Sequence, residues 1–209
     1  MHLILIGAPG SGKGTQAEKL INEHGYLHIS TGDLLRQEVA KASELGLKIK
    51  GLIDSGQLVD DLTVLELFKN NLNLNSSRYI LDGFPRTLNQ CKLLDEQVLT
   101  GQLYKVIYFK VNESQIVDRI INRRIAPKSG KIYNLLTNPP VVDGVCDISG
   151  EPLIHRDDDK EAVIKKRLQV FAESIKAILS YYSDSGRLYT LDATMSPELV
   201  YKEITKNIG

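Results

Sequence analysis

The stretch "LILIGAPGSGKGT", Leu3 to Thr15, runs four apolar residues directly into a glycine-rich loop that carries Gly12-Lys13. A continuous apolar run of this length suits a strand buried on both faces. Gly7-x4-Gly12-Lys13 has the spacing of a phosphate-binding loop. In such a loop, backbone N–H groups and a helix N-terminus surround the phosphates while the lysine reaches the outer oxygens. A plain glycine-rich turn accounts for neither Lys13 nor the strand before it. The usual hydroxyl directly after the lysine is absent: Gly14 stands there and Thr15 follows, which weakens the case for direct magnesium ligation by that hydroxyl. The loop leaves the phosphate acceptor open, whether water, a protein hydroxyl or a small molecule.

Outward from the loop, short apolar runs alternate with helical patterns. Leu3 to Ile6, Tyr26 to Ile29, Tyr79 to Leu81, Val106 to Val111 and Leu188 to Leu191 read as five buried strands. Lys13 to His24, Leu62 to Asn71, Gln90 to Leu99, Glu113 to Arg124, Glu161 to Tyr182 and Glu198 to Asn207 repeat apolar residues at helical spacing. Ser196-Pro197-Glu198 supplies a cap, an N1 proline and an early acid for the last helix. Strand and helix in alternation predict an α/β fold with a parallel sheet, whose ligands lie beyond the carboxyl ends of its strands. Two stretches break the rhythm. Residues 31–60 are helical but short and glycine-punctuated, which predicts a small helical insertion; residues 125–155 have no helical period and predict a small β-rich lobe. A structureless loop of that length is uncommon in a compact domain unless it is a functional lid.

At 209 residues the chain is long enough for about one domain with a real core. Its 26 basic and 26 acidic side chains cancel, so no global field draws it to nucleic acid or an anionic membrane, and any anion site is local. The N-terminal apolar run lacks a basic stretch before it and is expected to be neither a secretory signal nor a membrane span. Cys91 and Cys146 give no disulfide framework. A reduced, cytoplasmic setting is expected.

A second phosphate-handling element is "YILDGFPRT", residues 79–87. Asp82, an acid ending a buried strand near a phosphate loop, is placed to organise Mg²⁺ through water, although a cap or turn carboxylate would look the same. Arg119 and Arg123 stand four apart on an expected helical face, and Arg36, Arg86, Arg156 and Arg167 lie near the insertions and strand ends. Any one of them alone could be a solvated side chain of little consequence. A water-splitting NTPase needs about one catalytic arginine. Six suggest a second phosphorylated ligand, since guanidinium grips phosphate oxygens in bidentate fashion.

The motifs "GAPGSGKGTQA" (7–17), "STGDLLR" (30–36), "LDGFPRT" (81–87), "VDRIINRR" (117–124), "GKIYN" followed by "NPP", and "KKRL" (165–168) occur in order, and the chain resembles the bacterial adenylate kinases of the long-lid type. The resemblance spans residues 1 to about 207. In that family the Gly14-Thr15 arrangement is ordinary. The resemblance implies Mg²⁺-dependent ATP + AMP ⇌ 2 ADP by a cytoplasmic monomer. It implies a core of 1–29, 60–121 and 157–209, an AMP-binding insertion at 30–59 and a lid at 122–156. ATP would be held by Gly10, Ser11, Gly12, Lys13, Gly14, Thr15, Arg119, Arg123, Ile132, Tyr133 and Met195, with Arg119 stacked on the base. AMP would be held by Thr31, Arg36, Gln57, Leu58, Val59, Gly83, Phe84, Pro85, Arg86 and Gln90, with Arg156 and Arg167 bridging donor and acceptor. Gln90 would read the base, offering one donor and one acceptor. Asp157-Asp158-Asp159 reads as a solvated hinge, or, by resemblance, Asp158 and Asp159 gather arginines around the substrates. Many relatives bind structural zinc in the lid with Cys-rich corners. Here those corners are Ala126, Ser129, Cys146 and Ser149, too few ligands for a tetrahedral site, so no zinc is expected.

The four histidines, His2, His24, His28 and His155, fall outside these motifs and read as structural or solvated. Two alternatives stay open: a nucleoside monophosphate kinase preferring another base, and a nucleotide-controlled binding module without net transfer.

Overall fold

A computed structural model describes residues 1–74 and 78–208; residues 75–77 and Gly209, which belong to the expected core segments 60–121 and 157–209, lie outside the described part. The chain begins β1 (His2–Gly7), α1 (Lys13–His24), β2 (Leu27–Ser30), α2 (Thr31–Ala40), α3 (Glu44–Asp54) and α4 (Asp61–Lys69). It continues β3 (Tyr79–Asp82), α5 (Leu88–Gln97), β4 (Tyr104–Lys110), α6 (Glu113–Ile121), β5 (Arg123–Ile125) and β6 (Ile132–Asn134). After a single 3₁₀ turn at Asp157–Asp159 come α7 (Glu161–Asp184), β7 (Leu188–Asp192) and α8 (Pro197–Ile208).

Five strands form one wholly parallel sheet in the order β2-β3-β1-β4-β7. The apolar runs exist because both faces are covered. In β1, Leu3 and Leu5 belong to the core layer with Leu20, Phe109 and Ile204, while Ile4 and Ile6 belong to the opposite layer with Leu81, Phe84, Leu94 and Tyr182. Each such side chain fully withdrawn from water contributes about 1.5–3 kcal/mol, which makes the central strand the anchor for everything at its carboxyl end.

Helix starts follow side-chain chemistry. Ser30, Ser43, Asp60 and Thr87 accept an N–H at the starts of α2, α3, α4 and α5. α1 is different. It is capped by Gly12 in the left-handed region (φ 96°), with no side-chain cap, so its first N–H groups remain available to an anion.

Two features depart from the sequence reading. The helical pattern at 113–124 ends early: α6 stops at Ile121, and Arg123 lies on β5, paired with Asn134 of β6. Strand pairing and the bond from Leu135 N–H to the Asn122 carbonyl overrule the local helical spacing, so Arg119 and Arg123 do not share a helix face. The second concerns Phe84. It packs in the core against Phe68, ring centroids 4.9 Å apart, because the apolar ring gains more there than at a polar crevice.

Candidate active site

A large cavity, about 780 Å³, opens at the carboxyl ends of the strands. Gly10 to Thr15, Asp82, Pro85, Arg119, Arg123, Ile132, Tyr133, Arg156 and Met195 line it. A smaller cavity beside it is lined by Thr31, Gln57, Leu58, Val59 and Gln90 from α2, the end of the helical insertion and α5. Arg36, Gly83, Arg86 and Arg167 line both. Of the expected site residues, only Phe84 lines neither cavity. The hydroxyl of Thr31 is buried without a hydrogen-bond partner among the described residues, which marks the smaller cavity as built for a polar guest.

Lys13 folds back over its own loop, donating to the carbonyls of Gly7 (2.8 Å) and Ala8 (3.0 Å). Burial lowers its ammonium to about 8; Asp82 resists the drop, and Arg86, Arg167 and Arg123 deepen it. For Asp82, burial pushes upward, but His28, Lys13 and Arg86 together hold the carboxyl below its usual range. It is therefore ionised at neutral pH. Burial, and then neighbouring guanidiniums, bring Arg86 and Arg156 down to about 10, still charged at neutral pH.

The acids after residue 156 are not a solvated hinge. Asp157 is exposed, whereas Asp158 and Asp159 are buried and each holds arginines. Arg123 grips Asp159 through Nε (2.9 Å) and a second N–H; Arg167 donates to Asp158 at 2.8 Å and stands 3.6 Å from Asp159. Asp158 is also 4.0 Å from Arg36. Burial raises its affinity for a proton, and Arg167, Arg36, Arg156 and Arg123 outweigh that, leaving it below the ordinary carboxylate range. Two buried carboxylates thus hold several mutually repelling cations at one point.

Gln90 lines the smaller cavity with both amide ends engaged inside the protein: Oε1 accepts from Arg86 N–H (2.6 Å) and Nε2 donates to Asp61 (2.7 Å). The lobe bearing β5 and β6 comes down onto α1. A side chain at Gly14 would approach Ile132 Cδ1 to 3.3 Å, and Lys131 Nζ lies 2.5 Å from Glu18 Oε1. At the lobe's corner, Ser129 and Tyr133 hydroxyls approach Cys146 Sγ (3.7 and 3.4 Å), and Ala126 fills the remaining space apolarly.

Sequence reasoning passed over three residues. His28, read as structural or solvated, lines the large cavity with Nε2 3.5 Å from Asp82 Oδ2. Nothing local marks it, since the contact depends on β2 lying beside β3. Asp33 accepts from Arg36 at 2.6 Å and lies 4.0 Å from Arg156. Its three-residue spacing from Arg36 on a helix was a usable signal. Glu151, in the lobe corner, accepts N–H bonds from Lys128 (2.7 Å) and Ser129 (2.8 Å) and the Ser149 hydroxyl (2.8 Å).

Residues 5–187 match the family model described as Adenylate kinase. The chain belongs to the adenylate kinase family. An adenylate kinase of Thermosipho africanus is 45% identical over 208 residues, covering 98% of this chain and 97% of the relative. Those of Fervidobacterium nodosum (41% over 213 residues; 100% and 98% covered) and Archaeoglobus fulgidus (43% over 208 residues; 98% and 96%) are similar over the same extent. The adenylate kinase reaction is ATP + AMP ⇌ 2 ADP, and this member is a phosphotransferase. For an adenylate kinase, the cluster of Lys13 and arginines between two cavities has a direct chemical use: it can neutralise and align phosphates that would otherwise repel one another.

Proposed function

We propose that the larger cavity takes ATP with Mg²⁺, that the smaller takes AMP, and that the γ-phosphoryl group crosses at the wall between them. The observation that carries this reading is that Arg36, Arg86 and Arg167 line both cavities at once. Cations shared by two pockets suit two phosphorylated substrates, whereas an NTPase needs cations around one.

The attacking group is the AMP phosphate, whose second pKa is about 6, so it is mostly ionised at neutral pH and no general base is needed. Arg36 and Arg86 hold it. Lys13 and Arg123 contact the transferring group, and Arg156 and Arg167 span donor and acceptor. Arg119 stacks on the donor base, beside Ile132 and Met195. Asp158 and Asp159 hold the arginines in position and release them to phosphate oxygens, which offer the same bidentate partners. Thr31 and Gln90 face the acceptor base; for Gln90 this means exchanging its Asp61 contact for the base. Ionised Asp82 fits Mg²⁺, a hard cation that is commonly held by one carboxylate, substrate phosphates and water. When bound, Mg²⁺ neutralises charge on the phosphate oxygens of the donor.

In this reading residues 1–29, 60–121 and 157–209 form the core, 30–59 the AMP-binding insertion and 122–156 a lid that keeps water from the activated phosphate. The lid carries no structural zinc, and the enzyme works as a cytoplasmic monomer without nucleic-acid or membrane partners. Balanced charge and the lack of a disulfide framework support that setting. Incubation with ATP, Mg²⁺ and each nucleoside monophosphate in turn is the direct test. Stoichiometric ADP with AMP is expected; preference for another monophosphate, or no transfer, would overturn the assignment.

A further inference from the structure

Gln16 stands one turn beyond Lys13 on α1 and is 3% exposed. Its Nε2 donates to the carbonyl of Pro197 at 2.9 Å, joining groups 181 residues apart. That bond decides the amide's orientation, since the flipped form would set two acceptors face to face. The other end, Oε1, is buried and has no hydrogen-bond partner among the described residues. Pro197 is the first residue of α8, so its carbonyl has an intrahelical donor four residues on without help from Gln16. In stability terms the amide is a poor choice. A buried oxygen left unpaired costs more than one neutral hydrogen bond returns, and an apolar side chain of the same length would fill the space without that cost. Such residues are explained by function more often than by folding.

The geometry locates that function. Ala193 to Ser196 form the loop between β7 and α8 and, with Pro197 at the start of α8, line the wall of the large cavity. Arg119 holds one end, donating to the Ala193 carbonyl at 3.1 Å, and Gln16 holds the other. Met195 and Ser196 lie between the two clamps. Arg119 reaches the loop from α6, but Gln16 reaches it from the helix that begins at the phosphate loop. We propose that Gln16 is a positioning residue that sets the spacing between the phosphate loop and the wall against which the donor base packs. Gln16 itself lines the large cavity, but base and phosphates are engaged together through the loop it holds, and donor selectivity depends on that spacing. This rests on the reading that the larger cavity takes ATP.

The test is Gln16→Met, which keeps length and removes both polar ends. Affinities for ATP, AMP and inorganic tripolyphosphate, which has the phosphate chain without a base, would be measured with the urea unfolding midpoint. The midpoint is expected to hold or rise, while ATP affinity falls on the order of tenfold and tripolyphosphate and AMP affinities stay unchanged. Gln16→Glu, which sets a carboxylate against the Pro197 carbonyl, should lose ATP affinity at least as severely. Unchanged ATP affinity in Gln16→Met would overturn the proposal. So would equal losses for ATP and tripolyphosphate, or a variant that unfolds more readily than the parent. A parent protein that binds ATP no better than tripolyphosphate would instead remove the donor-site reading itself, and this proposal with it.

Discussion

Arg123 clasps Asp159 with two N–H donors, one from Nε at 2.9 Å, and the carboxylate it holds is completely buried. The arginine is thereby fixed at the cavity wall before any phosphate arrives, and the carboxylate is neutralised where water cannot reach it. Removing one partner of such a pair strands the other charge. Asp159→Ala should therefore destabilise the protein by about 3 kcal/mol, the low end for buried pairs because Arg123 retains some access to the cavity's solvent. Denaturant unfolding measures this, and a loss below about 1 kcal/mol would show that the neighbouring carboxylate of Asp158 takes over the pairing with Arg123.

Arg86→Ala tests catalysis with less damage to the fold, since among the described residues the Arg86 guanidinium makes a hydrogen bond only to the Gly83 carbonyl, at 2.7 Å, and no direct ion pair. Turnover should fall on the order of a thousandfold, as for other arginines that stabilise phosphoryl transfer. Arg86→Lys should recover little, because a point charge does not reproduce bidentate contact. Near-normal steady-state rates would refute the role.

The depressed pKa of Lys13 predicts an alkaline limit. Above about pH 8 the free enzyme loses this charge. kcat/KM for ATP, which reports the free enzyme, should decline through that range, while kcat holds to higher pH because bound phosphate restores the proton's affinity. Parallel declines in both would contradict this origin.

His2 predicts an acid effect on stability. Its Nδ1 accepts from the Tyr79 N–H at 3.1 Å, so protonation there breaks a buried bond. Burial lowers its pKa below 6.5, with the Gln102 contact opposing and the N-terminal charge adding. The unfolded chain thus takes up the proton first, and stability is intact above about pH 6.5 and is lost as pH falls below it. The difference in urea midpoint between the parent and His2→Gln should narrow as pH falls from 7.5 toward 5; a constant difference would exclude His2 as the source.

The lid corner should be indifferent to chelators and sensitive to Glu151. Hydrogen bonds from two backbone N–H groups and the Ser149 hydroxyl overcome burial and hold this carboxyl down to about 2. Its contribution is present above the ordinary carboxyl value of 4.5 and lost as pH falls toward 2. Glu151→Gln should speed amide exchange at Lys128 and Ser129, whereas EDTA should leave the melting temperature unchanged. Zinc found by elemental analysis at one per chain, resisting dialysis, would reverse this account.

Much of the molecule could be read from local pattern. The five apolar runs, the glycine-rich loop and the order of the motifs depend on period and spacing, which the chain carries within a few residues of itself, and they determined the sheet, the phosphate loop and the arginines. What they left undecided needed contacts between distant segments. Arg123 looked helical until β6 offered it a strand partner, and Phe84 looked like part of a crevice until Phe68 offered it a core. The acids at 158 and 159 could not be distinguished from solvated ones, since their burial depends on arginines from α2, β5 and α7. His28 meets Asp82 only because two strands separated by 48 intervening residues lie side by side. Gln16 finds Pro197 only because the first and last helices close the same wall. Local sequence specifies which face of an element is apolar; which polar groups meet across faces is settled by the packing that the apolar faces bring about.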